Sequence, residues 1–451
     1  MTEPIDVLVV GGGPAGLATA IRLRKQLAQA GSDASVVVVD KAHRPGYHSL
    51  SGASFEQACL DELVPGWRDD RRFMANVVPV EQDDLYFLLG SRAVKVPSRV
   101  VPGRMHHEGD VTISLARLTG FLADRAVQAG VEIHSGFAAR ELLVDDGRVV
   151  GVRLGDVGRN NRGEPKANFR PAEDIHARVT VLADGSHGVL STQLREQFGG
   201  GRNPQVYSIG IKAVAQFPGD NPFGTNRVLH TLGYPNPAGV FGGGFMYSMG
   251  DKSVAVGLIL GLDWRAGDLA PQREFERFRS HPFIASLLRG SVTIATGAKT
   301  IPEGGWYALG RVAVPGALVV GDGAGFVNMA RIKGIHYAIL SGMAAADTIA
   351  EGLAAAGAAP DDPVRLAGYV QRLETRGVLP DLRHARNYRA AFRWGIYPGA
   401  PLSLVADRLP WRIPMAPDAD GTRPGARLDR PDPGGMDGAT FVSLSGALHR
   451  E

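Results

Sequence analysis

The sequence predicts an α/β fold in which a parallel sheet is interrupted by a second, mostly antiparallel sheet. Three observations carry that reading. An apolar run over residues 5–10 ends in Gly11-Gly12-Gly13-Pro14-Ala15-Gly16, and a helical pattern through Leu17, Ala20, Ile21 and Leu23 opens behind it. A second run, Ala34 to Val39, ends in the acid Asp40. Far downstream, Ala317-Leu318-Val319-Val320 ends in Gly321-Asp322-Gly323 before a long helical pattern, about Gly334 to Ala356. The stretch between alternates in short runs, Gln205 to Leu262, separated by glycine turns.

The other elements follow in order. Residues 41–52 read as a loop, and a polar, proline-containing stretch continues to Pro102. Val111 to Ala129 reads as one helix with Leu115, Leu118, Phe121 and Leu122 on a face, stopped by Gly130. Ala138 to Leu154 reads as two strands turned at Asp145-Asp146-Gly147. Asn160 to Pro171 reads as a hairpin tip, Ala177 to Asp184 as a buried strand, and Gln272 to Arg279 as a helix. The domain division expected is 1–200 and 301–360 for the parallel-sheet domain, 201–300 for the inserted sheet, and 361–451 for a helical segment and tail.

Composition excludes several classes. The chain has 451 residues, 44% hydrophobic and 21% charged, enough for a large core in two or three lobes. A net charge of +3 is too mild for a nucleic-acid binder. One cysteine, Cys59, cannot form a disulfide framework, a thiolate-ligated iron–sulfur cluster or a zinc site, and reads as core filler. No metal is expected. The apolar pattern contains no uninterrupted window of 18 residues, so no spanning helix is expected, and no leader is visible, so a cytoplasmic location is expected.

The glycine turn is a Rossmann-type fingerprint. Gly11, Gly13 and Gly16, with Pro14 and Ala15 between them, let backbone N–H groups approach a pyrophosphate at a helix N-terminus. Asp40 stands where an acid binds the adenosine ribose. Arg117 can clamp a pyrophosphate, while Asp184-Gly185 and Gly321-Asp322 end the two other strands that border such a site. The combination, with only one such fingerprint, points to FAD on a glutathione-reductase-like domain and not to a separate nicotinamide domain. The helix after Gly321-Asp322 can direct its N-terminus at the pyrimidine edge of the flavin.

More specific strings complete the pattern. They are His48-Ser49-Leu50-Ser51-Gly52-Ala53, Asp156-Val157-Gly158 with Gly163-Glu164-Pro165-Lys166-Ala167, and Ala183-Asp184-Gly185-Ser186-His187-Gly188. Gln205 to Lys212, Glu303-Gly304-Gly305, Gly325-Phe326-Val327-Asn328, Ile332-Lys333-Gly334-Ile335-His336 and Ser443 to His449 follow in order. Over nearly its whole length the chain resembles the electron-transfer flavoprotein:ubiquinone oxidoreductase family, among the geranylgeranyl-reductase-like flavoproteins. The resemblance extends the cofactor set to Lys41, Ser51, Gly52, Gly334 and Ile335. It places Asn328 beside the isoalloxazine, hydrogen-bonded to it, and Gly243 and Gly244 on the acceptor pocket, where absent side chains admit a flat ring. His48 is a candidate for proton relay, as are His187 and His336, although each reads better as a satisfied structural histidine. Tyr247 and Trp306 read as packing residues.

Two departures bear on function. Members of the family carry a ferredoxin-like domain with a four-iron cluster, and this chain ends at Glu451 where that domain begins. The family's membrane-binding segments correspond to Phe392 to Trp411, here broken by Arg, Asp and Pro, so membrane contact is expected to be weak or absent. The resemblance implies an FAD-dependent oxidoreductase moving electrons between a redox protein, an electron-transfer flavoprotein or a separate ferredoxin, and a quinone or other small organic acceptor. A soluble tailoring enzyme of a biosynthetic pathway, acting directly on a small molecule as dehydrogenase, reductase or monooxygenase, is the alternative. A non-catalytic flavin-binding subunit is a third class, disfavoured by the retained pocket strings.

Overall fold

The computed structural model describes residues 5–49, 51–101, 103–160, 163–264, 269–356, 363–406 and 408–415, with two short strands, Phe441–Val442 and Leu448–His449. The string at 443–447 lies outside the described residues.

The first sheet is parallel through five strands, in the order Ala317–Val319, Asp174–Leu182, Ile5–Val10, Val36–Asp40, Glu132–Ser135. Val7, Leu8 and Val9 are fully buried in the core that this sheet and the helix Pro14–Gln29 share. The helix Pro14–Gln29 follows the first strand, starting with Pro at its first turn, where a missing N–H costs nothing. It buries Leu17, Ile21 and Leu23, each worth ~1.5–3 kcal/mol of transfer free energy. Its partner is the 21-residue helix Ile335–Ala355, whose apolar face holds Ile339, Met343 and Ile349. That helix is long and apolar enough to cross a membrane by composition, which the search for uninterrupted apolar windows did not reveal; most of it is buried inside the fold. Gly342 lets the two helices touch, since a Cβ there would overlap the Ala15 carbonyl.

The hairpin read at 138–154 is present as Ala139–Asp145 and Arg148–Leu154, with Asp146 and Gly147 at positive φ (43° and 71°). The single helix expected from Val111 is corrected. Val111–Ser114 is a strand of a three-stranded sheet with Ser51–Phe55 and Val77–Pro79, and the helix is Leu115–Gln128. Ser114 ends the strand and caps the helix, its hydroxyl accepting from the Arg117 N–H at 3.4 Å.

The second sheet has seven strands in the order Val292–Pro302, Tyr207–Gln216, Ser253–Gly261, Gly242–Ser248, Arg227–Gly233, Gln82–Leu89, Arg92–Lys95. Its neighbours are antiparallel except that Arg227–Gly233 runs parallel to Gln82–Leu89. This corrects the division at residue 201, because two of its strands come from the first hundred residues. One face carries Ile211, Leu229, Met246 and Leu258 and packs on Phe275 and Phe278 of the helix Pro271–Ser280. The other face looks toward the first domain. The C-terminal helices are tied to this sheet by a buried Arg389, which reaches Glu303 (2.8 Å) and Asp263 (2.7 Å).

Candidate functional site

The glycine turn is built for a backbone-lined anion site. Gly11 has φ +112°, and a Cβ there would overlap the Ala183 carbonyl, while one at Gly16 would overlap the Gly11 carbonyl. Gly13 differs, because a Cβ there would meet nothing within 4 Å and would project into open space. The helix behind it has no side-chain cap and no acid in its first turn. The helix Ile335–Ala355, opened by Gly334, likewise has neither. The two first turns converge, since a Cβ on Gly321 would lie 2.9 Å from Ala15 and 3.4 Å from Ala338. Two uncapped N-termini facing one cleft are a site for a diphosphate. Both Asp40 oxygens accept backbone N–H groups, from Gly12 (2.6 Å) and Ala42 (2.7 Å), and each retains a lone pair for a ribose hydroxyl.

The remaining cofactor residues divide. Arg117 is exposed on the first turn of its helix, beside the 41–49 loop, where a Cβ on Gly46 would lie 2.7 Å from the Ala116 carbonyl. The exposed Lys41 has its ammonium pulled below the usual lysine range by partial burial and then by Lys299. Ser51 opens the strand Ser51–Phe55, with Gly52 next. The Asp184 carboxylate is engaged by the chain: it accepts from the N–H groups of Leu190 (2.9 Å) and Ser191 (3.0 Å) and from the Ser191 hydroxyl, holding the first turn of the helix Val189–Phe198. Burial raises its carboxyl. Gly185, at φ +79°, leaves open space beside it. Asp322 lies in the four-residue helix Gly321–Ala324, its carboxyl raised by burial and held back by Lys299. The long helix begins at Ile335, next to the start expected at about Gly334, and the short helix Gly321–Ala324 precedes it.

Asn328 is buried with its amide engaged by the chain itself, donating to Tyr337 Oη (3.4 Å) and the Asp381 carbonyl (3.3 Å) and accepting from the N–H groups of Ala330 and Arg331. Gly243 and Gly244 line a cavity with their backbone. A Cβ on Gly243 would overlap the Thr231 carbonyl, and one on Gly244 would overlap the Phe278 ring, so neighbouring protein explains both glycines. His48 is half-buried in the 41–49 loop, its ring 5.7 Å from that of Tyr47. His187 stacks on Tyr207, with ring centroids 4.0 Å apart. His336 is buried at the start of the long helix, its imidazole pulled down to about 4 by burial.

The cavity has a volume of about 380 Å³ and opens on the face of the second sheet that looks toward the first domain. Leu85, Phe241, Ile259, Met329 and Phe392 give it apolar walls, while Asp83, His106 and His230 add polar ones. Sequence reading missed the last three. They lie on segments without a motif, and only the unusual parallel pairing of Gln82–Leu89 with Arg227–Gly233 brings Asp83 beside His230. Lys299 was missed too. It shares this sheet face with Lys212, whose ammonium is pulled down to about 8 by burial and by the Lys299 charge.

Comparison with known proteins decides the family. Residues 207–301 match the family model "ETF-QO, ubiquinone-binding", and residues 9–64 match an "NAD(P)-binding Rossmann-like domain". A probable mitochondrial electron transfer flavoprotein-ubiquinone oxidoreductase of Schizosaccharomyces pombe is 39% identical over 466 residues, covering 100% of this chain and 72% of that protein. The chain belongs to the electron transfer flavoprotein-ubiquinone oxidoreductase family. The Pseudomonas aeruginosa member is 37% identical, over 99% of this chain and 83% of its own. Among solved structures, a geranylgeranyl bacteriochlorophyll reductase-like protein of Thermoplasma acidophilum superposes with a TM-score of 0.65 at 21% identity, covering 90% of this chain and 91% of its own. The flavin-dependent brominase Bmp2 superposes at 0.60 with 16% identity, covering 88% and 89%; such likeness establishes the shared fold. Membership makes this chain an FAD-dependent electron-transfer oxidoreductase, and the open cradle at Gly13 with its two uncapped helices fits that cofactor.

Proposed function

We propose that this protein takes electrons from a reduced electron-transfer flavoprotein and passes them through FAD to a quinone-class acceptor bound in the 380 Å³ cavity. The observation that carries this reading is the cavity's position: its sheet wall includes Gly242 to Phe245 and Ile259, inside the stretch that matches the ubiquinone-binding model. FAD would be held by the N–H groups around Gly13, by Asp40 and by the first turn behind Gly334, and it supplies reversible two-electron chemistry when bound. The chain's part is to orient ring and acceptor and to keep water from the apolar wall.

The exposed side chains of Trp394, Tyr397, Leu404, Val405 and Trp411 support peripheral contact with the inner face of a membrane, the source of a lipid-soluble acceptor. A separate ferredoxin as a further electron partner fits a chain whose single cysteine cannot ligate a cluster.

The test is reconstitution. Purified protein should be yellow, be reduced by reduced electron-transfer flavoprotein, and be reoxidised by a water-soluble benzoquinone, with NADH inert. Gly13→Val should yield colourless protein, since the valine would fill the space open to the pyrophosphate. Rapid reduction by NADH with none by the flavoprotein would refute the reading.

A further inference from the structure

The cavity wall is the mouth of a connected chain of titratable groups. Asp83 Oδ1 lies 3.8 Å from His230 Nδ1, and Asp83 Oδ2 accepts the backbone N–H of His107 at 2.8 Å. His106, also on the wall, places Nδ1 3.9 Å from the same carboxylate. Behind the wall, His107 is 0% exposed, and its ring lies 4.9 Å from that of His230. Its Nδ1 faces Ser54 Oγ (3.2 Å) and Asp110 Oδ2 (3.3 Å), while its Nε2 has no hydrogen-bond partner among the described residues. Asp110 takes Lys333 Nζ at 2.6 Å, and Lys333 reaches Glu56 Oε1 at 2.9 Å. Glu56 is partly exposed and pairs with Arg331. The chain of groups therefore runs from the cavity to solvent.

We infer that His107 and His230 form a proton relay serving the acceptor in the cavity, with Asp83 positioning His230 and Asp110 positioning His107. The inference rests on the cavity holding a carbonyl acceptor. Such an acceptor takes two electrons and two protons to become the diol. FAD, when bound and reduced, would supply two electrons and one proton. The remaining proton comes from the chain: an N–H bond of His230 breaks, an O–H bond forms on the acceptor oxygen, and His107 reprotonates His230. Glu56, Lys333 and Asp110 connect His107 to solvent.

The electrostatics suit that task. Burial lowers His230 below the usual imidazole range, Asp83 opposes this and the His107 charge adds to it, so an arriving proton is readily passed on. Against the upward pull of burial, His230 and His107 hold Asp83 ionised, and His107 and Lys333 hold Asp110 ionised. Tyr247 Oη fixes the far side of the His230 ring through Nε2 at 2.9 Å, and burial raises that phenol, so it stays neutral.

The experiment reoxidises dithionite-reduced, FAD-loaded enzyme by rapid mixing with two acceptors. One is a water-soluble benzoquinone, which needs protons; the other is ferricenium, which needs none. His230→Gln should slow the quinone reaction by about 10², the scale of general acid catalysis, and leave ferricenium unaffected. Added imidazole should restore part of the rate, and solvent deuterium should slow the unmodified enzyme with quinone alone. Asp83→Asn should shift the pH profile of the quinone step without changing quinone affinity. Nitrogen-15 histidine spectra of the FAD-free protein should show the His107 ring resonances move once His230, 4.9 Å away, is replaced. Equal slowing with both acceptors, or none with either, would overturn the relay. Leu232→Trp, which fills the cavity, separates the two readings. If it blocks quinone while His230→Gln is silent, the relay alone is wrong; if it too leaves quinone untouched, the acceptor site and the relay fall together.

Discussion

Asn328 donates to Tyr337 of the helix Ile335–Ala355 and to the Asp381 carbonyl of the helix Val378–His384, and it accepts from two N–H groups of its own loop, which supports a structural role. Its backbone also pairs with Lys333, N–H to carbonyl at 2.9 Å, closing a turn that delivers Arg331 and Lys333 to Glu56. Removing the amide leaves the Ala330 and Arg331 N–H groups without their acceptor, a loss of ~1–3 kcal/mol. Asn328→Ala should therefore lower the urea midpoint while the flavin potential, read by spectroelectrochemistry, stays put. A potential lowered by tens of millivolts at unchanged stability would return Asn328 to the ring. Asp184 follows the same logic, since a carboxylate at a strand end is equally suited to a ligand or to the next helix. The residue types at both positions were plain in the sequence, but which neighbour would claim their polar atoms depends on contacts far along the chain.

Elements were easier to read wherever a local physical rule governs them. The turn at Asp146-Gly147 needs positive φ, the first strand needs an unbroken apolar run, and the long helix needs its 3.6-residue pattern; all three were visible and all three are present. Gln82–Leu89 was hidden because Asp83 and Asp84 interrupt the apolar alternation, and those acids are partnered by His107, Arg227 and Lys95 only after folding. Val111–Ser114 was absorbed into a helix because nothing but the Ser114 cap separates strand from helix. The helix pair Pro14–Gln29 and Ile335–Ala355 has a direct consequence for the cofactor. Gly342 is packed against the Ala15 carbonyl and the Ala18 side chain, and Arg22 and Gln26 both bond Asp347 one turn later. Gly342→Val forces the helices apart at the turn that holds the diphosphate. We expect a loss of ~1–3 kcal/mol, the usual cost of overpacking. The purified variant should also hold several-fold less FAD, scored by the ratio of flavin to protein absorbance. Full flavin occupancy would show that the two N-termini are positioned independently.

At the scale of the whole molecule, exposed large apolar side chains recur closely over residues 394–411. Ile396–Ala406 keeps Ile396, Gly399, Ser403 and Ala406 inside and turns Tyr397, Leu404 and Val405 outward, at 60%, 47% and 46% exposure. Trp394 and Trp411 flank them at 56% and 61%, and Arg393, Arg408 and Arg412 stand among them, also exposed. A patch of aromatic and aliphatic side chains among arginines matches an anionic interface, where rings sit at headgroup depth and guanidinium groups meet phosphates. The same segment supplies Phe392 to the cavity wall, so the surface proposed to meet lipid also borders the proposed acceptor site. The breaks by Arg and Pro that weakened this segment in the sequence rule out a long apolar insertion, and they are compatible with shallow, reversible attachment. The protein should therefore float with vesicles containing anionic lipid, dissociate as salt rises, and stay behind with neutral vesicles. Tyr397→Ser with Leu404→Ser should reduce flotation at low salt by about tenfold, since two buried apolar side chains contribute ~1.5–3 kcal/mol each when fully inserted and less at partial depth. Reaction with a water-soluble quinone should be unchanged in that variant, whereas reaction with a vesicle-embedded, long-tailed quinone should fall in step with flotation. If flotation falls and the embedded quinone is still reduced at full rate, the patch serves another partner and the acceptor reaches the cavity from water.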